Sequence, residues 1–482
     1  MNLPMEYINR PLVEGLVKFK ELNQLSLHVP GHKNGALSGL PESIRTALAY
    51  DLTELEGLDD LHQPEGIIAE ATQKLTELYG SDKSFFLVNG STVGNLAMVY
   101  ATCREGDTVI VQRNAHKSVF NAIELTGASP VFISPEWDNS TRTAGSVSAE
   151  QVKRVLEDYP KAKAVILTYP TYYGVIGEEL EESIRLCHER QIPVLVDEAH
   201  GAHFVIGKPF PRSALLLGAD VVVHSAHKTL PAMTMGSYLH VKSSFVSVER
   251  IAHYLQMLQS SSPSYLLMAS LDDARAYAES FKKEDTVSFM EKRNAFINEL
   301  NQLPLIKTIT TEDPLKLLLE IEGYSGFDVQ KVLDAEKVFV ELADPYQVLL
   351  VLPLLKKEQS YPFEQIVSKI DIAVQRLAIS AKLIKVAKPP ILGSPISTLS
   401  YTARELEHLK SDWIPYEQAL GKVARASVVP YPPGIPLLLA GERITETHLE
   451  SLKSLLAMGD NFQGAIQVNE EKIFVVINDV EE

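Results

Sequence analysis

Two neighbouring segments of the chain read PVLVD (residues 193–197) and DVVVH (residues 220–224). Comparable short apolar runs lie at residues 85–88, 108–111, 130–133 and 164–167. Runs of this length that are apolar throughout predict strands buried on both faces, as in a parallel sheet. Because helix-like segments alternate with them, the pattern predicts a doubly wound α/β domain. Ligands bind beyond the carboxyl ends of such strands, so the residues after each run are the candidates for chemistry.

The helix-like segments are recognised by caps and apolar stripes. Residues 148–159 predict a helix that Ser148 caps, and its apolar stripe comprises Val152, Val155 and Leu156. Helical character also dominates residues 265–302, with no strong break, and residues 11–24. The segment after residue 24 is a loop punctuated by glycine and proline.

The rest of the chain predicts two smaller units. The first has strands at residues 316–321 and within 338–352, a helix from Phe327 and a helix at 363–382. A linker at Lys388-Pro389-Pro390 leads to a unit with a proline-rich loop at residues 429–436 and a closing strand near 473–476. We therefore predict an N-terminal arm (1–50), a large domain (51–300), a small α/β domain (301–388) and a C-terminal domain (389–482).

Charge and composition exclude several classes of protein. The 482 residues include 45 Lys and Arg against 62 Asp and Glu, a formal net charge of −17. An acidic chain without a Lys/Arg block is a poor nucleic-acid binder. No apolar stretch reaches the ~18 residues of a membrane span, and the N-terminus lacks the pattern of a signal peptide. Cys103 and Cys187 form neither a disulfide framework nor a Cys-based zinc site. We expect a cytoplasmic protein that binds no nucleic acid, membrane or metal.

The sharpest chemical signal is a carboxylate and a lysine that each follow an apolar run. Asp197 opens DEAHG (residues 197–201), and Lys228 lies in HSAHKT (residues 224–229). Enzymes that use pyridoxal 5′-phosphate (PLP) need a lysine to form a Schiff base and a carboxylate to keep the pyridine nitrogen protonated. The lysine is nucleophilic only when uncharged, which a partly desolvated site favours. Alone, Asp197 would be a helix cap and Lys228 a surface lysine; together they indicate a PLP site.

Two further segments suit the same cofactor. The turn NGSTVGN (residues 89–95) ends one apolar run and opens a helix, so its N–H groups and the hydroxyls of Ser91 and Thr92 predict a phosphate site. Ser225 and His227 flank the lysine and are placed to complete it. His116 follows the next run and is a candidate to stack on the ring, although a histidine there is also an ordinary helix cap.

Six motifs together resemble the bacterial ornithine/lysine/arginine decarboxylase family. They are VPGHK (29–33), NGST (89–92), RNAHKS (113–118), VDEAHG (196–201), SAHK (225–228) and PYPPGIP (430–436). The resemblance implies PLP-dependent enzymes of the aspartate-aminotransferase fold: a large domain with a mostly parallel sheet, a small α/β domain and a C-terminal α+β domain. Since the first motif is complete by residue 33, the resemblance is to the short members without an N-terminal wing domain.

The resemblance also implies roles for individual residues. Lys228 would be the Schiff-base lysine, Asp197 the partner of the pyridine nitrogen and His116 the stacking residue. Ser91, Thr92, Ser225 and His227 would surround the phosphate, with Ala199 and His200 beside the ring. The segment SSSPSY (residues 260–265), including Ser261, would reach the phosphate of a neighbouring subunit, which implies a homodimer with shared sites.

The implied reaction is the decarboxylation of lysine, ornithine or arginine to a di- or polyamine precursor. Proton return from Lys228 or His227 would complete it. The distal cation of the substrate needs acidic partners, for which Asp59, Asp60 and Glu442 are the candidates, although each also suits a solvated surface. Two alternatives stay open: an aminotransferase or carbon–sulfur lyase that uses Lys228 and Asp197 in the same way, and a non-catalytic PLP-binding protein.

Overall fold

The computed structural model describes residues 8–379, 395–430, 436–458 and 462–477. The chain forms, in order, the helices α1 (Pro11–Glu21), α2 (Glu42–Arg45), α3 (Ile67–Tyr79), α4 (Gly90–Thr102), α5 (Lys117–Thr126), α6 (Ala149–Asp158), α7 (Leu180–His188), α8 (Ala226–Thr229), α9 (Val248–Leu258), α10 (Tyr265–Glu279), α11 (Lys283–Asn301), α12 (Gly326–Ala335), α13 (Phe363–Ile379), α14 (Ala403–Glu407) and α15 (Glu446–Met458).

The strands, in chain order, are β1 (Lys83–Leu87), β2 (Thr108–Gln112), β3 (Ser129–Ile133), β4 (Trp137–Asp138), β5 (Thr143–Ala144), β6 (Ala164–Thr168), β7 (Val194–Asp197), β8 (Val221–His224), β9 (Ser237–Val241), β10 (Ile306–Thr310), β11 (Lys316–Ile321), β12 (Leu342–Ala343), β13 (Val348–Val351), β14 (Ile396–Thr398), β15 (Ser411–Pro415), β16 (Val428–Pro430), β17 (Phe462–Gly464), β18 (Ile466–Gln467) and β19 (Lys472–Val476). Each apolar run predicted from sequence coincides with one of these strands to within one residue at either end, except that β1 begins earlier. The helix predicted at residues 148–159 is α6, and Ser148 with Gln151 forms its capping box.

The chain divides into two compact units, Met1–Thr102 with Pro193–Lys282 and Cys103–Ile192 with Lys283–Glu482. In the first unit the strand order is β1-β9-β8-β7. Strands β7 and β8 are parallel, whereas β9 is antiparallel to both β8 and β1. Because Asp197 pairs with Val223, the carboxyl ends of β7 and β8 lie side by side. This division into two units does not test the four predicted domains, which stay a prediction.

Helix α4 lies unusually close to the strands of the first unit. A methyl group added to Gly94 would come within 2.8 Å of both Leu87 Cδ1 and Val223 Cγ1. Contacts that short do not occur between ordinary side chains, so the helix can approach this closely only because residue 94 is glycine. This approach fixes the height of the α4 N-terminus above the sheet.

Helix α1 is held to the same unit by a buried polar cluster. The Leu12 N–H donates to Asp272 Oδ2 at 2.9 Å, and Arg275 donates to both Asp272 Oδ1 and the Asn9 carbonyl, each at 2.7 Å. Arg275 and Asp272 are both fully buried. A buried charge requires such partners, so the start of the described chain is fixed to α10.

The second unit contains a larger and a smaller sheet. Strands β6, β2 and β3 run parallel in that order, and β14 adds to β3 in the antiparallel sense. The four-stranded antiparallel sheet β10-β11-β13-β12 packs on α11, α12 and α13 through a core that includes Leu317, Leu319 and Val374. A further core, which includes Val428, Leu452 and Val475, joins α15 to β16 and β19.

The structure corrects two predictions about the elements. The run at residues 85–88 belongs to an antiparallel strand, β1, and its partner β9 was not predicted at all. The helical stretch at residues 265–302 is two helices, because the chain leaves helical structure between Glu279 and Lys283. The predicted linker at Lys388-Pro389-Pro390 and residues 431–435 of the proline-rich loop lie outside the described residues. No helix in the described ranges is both long and apolar enough to cross a membrane.

Candidate active site

Asp197 is a buried carboxylate at the carboxyl end of β7. Its side chain is 3% exposed. Oδ2 accepts a hydrogen bond from Asn95 Nδ2 of α4 at 2.9 Å, and Oδ1 accepts one from the Ala199 N–H at 3.2 Å. A buried carboxylate is stabilised in its charged form by donors of this kind. The carboxylate is therefore held in one orientation from two sides.

The N-terminus of α4 is the predicted phosphate turn. Gly90 opens the helix with a φ of +79°, a left-handed conformation that favours glycine. Ser91 lies in the first turn, and its Oγ accepts a hydrogen bond from Ser225 Oγ at 2.7 Å. Thr92, in the same turn, is exposed. Since the first N–H groups of a helix attract anions, the turn and its hydroxyls form an arrangement suited to a phosphate.

Lys228 lies in the short helix α8, immediately after β8 and this serine. Its Nζ is 3.0 Å from His200 Nε2, and His200 is 4% exposed. The neighbouring His227 has its Nδ1 3.0 Å from the Gly236 carbonyl. Because a carbonyl only accepts, Nδ1 carries the hydrogen, and the basic nitrogen of the neutral ring is then Nε2. The two histidines thus have different partners, one the lysine amine and the other the backbone.

Backbone hydrogen bonds tie these segments together. The Ser225 N–H donates to the Ala199 carbonyl at 3.2 Å, and the Lys228 N–H donates to the Ser225 carbonyl at 3.0 Å. The structure therefore brings together most of the predicted cofactor residues by direct contact, namely Ser91, Asp197, Ala199, His200, Ser225 and Lys228.

Ser261 is exposed on the loop between α9 and α10. The start of this loop is anchored beside the α4 turn of the same chain, since Gln259 Oε1 accepts from the Val88 N–H at 2.8 Å. The Ser260 N–H also donates to Asn89 Oδ1 at 3.3 Å. The start of the loop is therefore positioned by the segment that precedes the predicted phosphate turn.

His116 lies in the second unit, where it caps α5. Its Nδ1 accepts from the Ser118 N–H at 3.2 Å and lies 2.7 Å from Ser118 Oγ. The ring is partly exposed. This is the helix-cap role that the sequence left open for this histidine, and it leaves Nε2 pointing away from the cap.

The Asp59 carboxylate has a structural role. The side chain is 8% exposed, and its two oxygens accept hydrogen bonds from five backbone N–H groups, those of Asp60, Glu65, Gly66, Ile68 and Ala69. It therefore satisfies the free N–H groups at the start of α3. These five backbone contacts take up its acceptor capacity, and its assignment as a substrate carboxylate stays a prediction. Asp60 accepts a hydrogen bond from the His62 N–H at 2.7 Å and is partly exposed.

Glu442 is likewise engaged within the second unit. Its Oε2 lies 2.6 Å from Arg113 Nη2 and accepts from the Leu439 N–H at 3.0 Å, and the carboxylate is nearly buried. Arg113 Nη2 also donates to the Leu437 carbonyl at 3.0 Å. The pair joins the segment after β2 to the segment after β16, so Glu442 is an ion-pair partner in the structure, and its role as a substrate ligand stays a prediction.

Asn95 is the functional residue that sequence reasoning missed. It is fully buried, although asparagine is seldom buried without partners. A signal was present, because Asn95 follows Ser91 by four residues and therefore lies on the same face of α4. A polar side chain one helical turn beyond a predicted phosphate site indicates a second contact, either to the same ligand or to a residue that binds that ligand.

Comparison with known proteins decides the family. The profile of the Orn/Lys/Arg decarboxylase major domain matches residues 10–316, and that of the Orn/Lys/Arg decarboxylase C-terminal domain matches residues 392–466. The chain belongs to the Orn/Lys/Arg decarboxylase family. This confirms the resemblance drawn from the six sequence motifs, and the match covers both ends of the motif series.

Individual relatives span nearly the whole chain. The uncharacterized protein YaaO of Bacillus subtilis (strain 168) is 45% identical over 489 residues, covering 98% of this chain and 99% of that protein. Arginine decarboxylase of the same organism is 34% identical over 472 residues, covering 94% and 95%. The solved structure of lysine decarboxylase A from Pseudomonas aeruginosa aligns with a TM-score of 0.77 at 20% identity, covering 93% of this chain and 76% of that one. The predicted α/β fold class is thereby confirmed.

Proposed function

We propose that this protein is a PLP-dependent decarboxylase of a basic amino acid, which releases carbon dioxide and an amine. The observation that carries the proposal is the contact between Lys228 Nζ and His200 Nε2 at 3.0 Å, in the same cluster as the buried Asp197. Membership of the Orn/Lys/Arg decarboxylase family supports the reaction class. The relatives with arginine decarboxylase in their names make arginine the first substrate to test.

The donor set of the cluster fits PLP. Asp197 would pair with the pyridine nitrogen, Lys228 would carry the aldehyde carbon, and Ser91, Thr92 and Ser225 would hold the phosphate at the start of α4. We also propose His227, Ala199 and His200 as contacts of the cofactor and His116 as the partner of its ring. PLP, when bound, supplies an electron sink that lets the bond to the substrate carboxylate break.

The residues of the chain account for the proton movements. Lys228 must reach a neutral amine, and the imidazole 3.0 Å away can accept a proton from it. His227 has its Nδ1 on the Gly236 carbonyl, so its Nε2 is the nitrogen that could hold or deliver the proton that replaces carbon dioxide. Lys228 is the other candidate for that proton. Asp197, held by Asn95 and the Ala199 N–H, would present its carboxylate to the pyridine nitrogen of bound PLP.

The distal cation of the substrate calls for an acidic partner. Asp59 accepts hydrogen bonds from the start of α3, and Glu442 forms an ion pair with Arg113. Of the three predicted carboxylates, Asp60 has the fewest hydrogen bonds among the described residues. A planar guanidinium would use both oxygens of one carboxylate, whereas an ammonium needs only one. We propose Asp60 as a contributor to substrate binding.

A homodimer is proposed from the exposed apolar side chains of the N-terminal arm. Leu25 is 94% exposed, Leu27 is 97% exposed and Leu37 is 75% exposed. Large apolar side chains that are exposed to water favour burial against a partner surface. A second copy of the chain is the proposed partner, with Ser261 reaching its phosphate site, and the cytoplasm is the proposed compartment. Light scattering of the purified protein measures the assembly.

The decisive experiment is a substrate panel with product identification. The holoenzyme is given lysine, ornithine, arginine and neutral amino acids, and carbon dioxide and the amine are quantified. We expect a basic amino acid to yield its amine. Formation of a keto acid would indicate transamination instead of decarboxylation. Turnover of neutral amino acids alone would contradict the proposal of a basic substrate.

Variants connect the activity to the site. Lys228→Ala is expected to remove both the visible absorbance of lysine-linked PLP and the release of carbon dioxide. Lys153→Ala, at an exposed position on α6, is the matched control and should retain both. Retention of both by Lys228→Ala would contradict the assignment of the lysine.

A further inference from the structure

A row of buried polar side chains crosses the first unit beneath the candidate active site. Ser84 Oγ lies 2.8 Å from His240 Nδ1, and His240 Nε2 lies 3.1 Å from His224 Nδ1. His224 Nε2 lies 3.3 Å from Glu198 Oε1. All four residues are completely buried. Each comes from a different place along β1-β9-β8-β7: Ser84 from β1, His240 from β9, His224 from the end of β8 and Glu198 from just beyond β7.

The row ends directly beside residues of the site. Glu198 follows Asp197 in sequence, and His224 precedes Ser225. Successive side chains of an extended segment point to opposite faces, so one member of each pair serves the site and the other the row. The Glu198 N–H donates to the Val223 carbonyl at 3.0 Å, which keeps the two chain segments in register.

Glu198 is fixed from both directions. Its Oε2 accepts from the Ala214 N–H at 2.7 Å and from Ser213 Oγ at 3.1 Å, while Oε1 faces His224. Burial of a carboxylate and an imidazole costs free energy, and well-packed apolar residues would hold two strands together as firmly. A buried polar network does, however, restrict its members to one geometry.

Burial shifts the pKa of two members of the row. Burial raises the pKa of Glu198, an effect that His224, the Ala214 N–H and Ser213 partly oppose. Burial and then the neighbouring His224 lower the pKa of His240. Both side chains of the Glu198–His224 contact are completely buried, with 3.3 Å between His224 Nε2 and Glu198 Oε1. The other titratable groups packed against the row are Tyr79 of α3, stacked on His240 with 4.2 Å between ring centroids, and Tyr238 of β9.

We propose that Glu198 and His224 are positioning residues of the candidate active site, which hold the end of β7 and the end of β8 at the spacing that Asp197 and Lys228 need to engage one cofactor. This inference rests on the proposed PLP site. In this proposal each residue acts through its sequence neighbour and through the Glu198–His224 contact, and not by touching the cofactor or the substrate.

The test compares PLP binding with stability. Apoprotein of Glu198→Ala, Glu198→Gln and His224→Ala is titrated with PLP, and the visible circular dichroism of the bound cofactor and the apoprotein Tm are recorded. The matched control is Asp344→Asn, since Asp344 is a buried carboxylate of the second unit that accepts from Tyr173 Oη at 2.8 Å and from the Tyr346 N–H at 2.7 Å.

We expect both alanine variants to bind PLP at least about ten-fold more weakly, with a changed circular dichroism band, because small displacements of holding groups are costly. Glu198→Gln, which keeps the shape and an acceptor, should recover most of that affinity. Asp344→Asn should lower the Tm and leave PLP affinity within about two-fold. PLP affinity within about two-fold of wild type in both alanine variants, at a Tm loss like that of the control, would overturn the proposal.

Two arrangements keep the outcome decisive. If the alanine variants do not fold, Glu198→Gln and His224→Gln are judged by the same comparison: a loss of affinity beyond the control supports the proposal, and its absence overturns it. If wild-type protein binds PLP but releases no carbon dioxide, the proposed function fails, while the positioning role is still decided by PLP affinity and the circular dichroism band.

Discussion

Asn95 Nδ2 donates to Asp197 Oδ2 at 2.9 Å, and both side chains are buried. The asparagine connects the helix that carries the predicted phosphate turn to the carboxylate at the end of β7. The two ends of one cofactor would therefore be set by a single rigid element, since Ser91 and Asn95 lie one turn apart on α4.

Replacement of Asn95 by Ala is the first prediction. Loss of a buried donor to a carboxylate costs about 1–3 kcal/mol, so PLP affinity should fall by a factor of about 5 to 150. Titration of the apoprotein with PLP measures it. Asn121→Ala, at an exposed position on α5, should leave the affinity unchanged; an unchanged affinity in Asn95→Ala as well would show that the contact does not support cofactor binding.

The second prediction concerns the cap of α3. Asp59→Asn removes the charge that faces five N–H groups at the helix start, so we expect a loss of about 1–3 kcal/mol in stability. The KM for a basic amino acid should change by no more than about two-fold. Asp60→Asn is the matched control, with the opposite expectation: a raised KM and little loss of stability. A raised KM in Asp59→Asn at full stability would restore this carboxylate to the substrate site.

The third prediction tests the ion pair between Arg113 and Glu442. Glu442→Ala leaves a nearly buried guanidinium without its carboxylate, which should destabilise the second unit by about 3–5 kcal/mol. The double variant with Arg113→Ala should lose less than the two single losses combined. Urea unfolding followed by tryptophan fluorescence is suitable, because Trp137 and Trp413 both belong to this unit.

The exposed pair Arg404–Glu105 serves as its control. Both side chains are more than half exposed, so Glu105→Ala should cost no more than about 1 kcal/mol. Equal losses at the two pairs would mean that burial does not strengthen the Arg113 contact.

The fourth prediction is a pH dependence. Burial, and to a lesser extent His224, hold the pKa of His240 well below its ordinary value. Below about pH 6.5 His240 is therefore protonated in the unfolded chain but stays neutral in the folded chain. The free energy of unfolding is therefore highest above that pH and decreases as the pH falls, by up to about 1.4 kcal/mol per pH unit. His240→Gln should reduce the Tm difference between neutral and mildly acidic buffer, whereas the exposed His253→Gln should not. An unaltered difference in His240→Gln would contradict it.

The positions of the strands could be predicted from sequence, because the apolar pattern of a buried strand lies within one short segment of the chain. The run DVVVH is apolar wherever its partners lie, and Ser148 caps α6 with a residue three positions away. The direction of β1 was not readable, since an apolar run has the same composition in a parallel and an antiparallel pair, and β9 with its serine and histidine does not read as an apolar run.

The sequence indicates the placement of a residue that directly follows its own strand, but it does not show a contact with a partner that lies far along the chain. Asp197 and Lys228 follow β7 and β8, so the sheet alone brings them to one edge. The partner of Glu442 is Arg113, 329 positions away, and no local pattern shows that pairing. The contacts of Asp59 with the start of α3 were not predicted, because the helix whose N–H groups donate to it starts several residues later.

Gly94 has no side chain and touches no proposed ligand, yet the close approach of α4 depends on it. In a saturation-mutagenesis library scored for activity, position 94 should therefore rank among the least tolerant, with even alanine depleted. Intolerance at that position would reflect the short distance between α4 and the sheet. It would carry no information about the substrate.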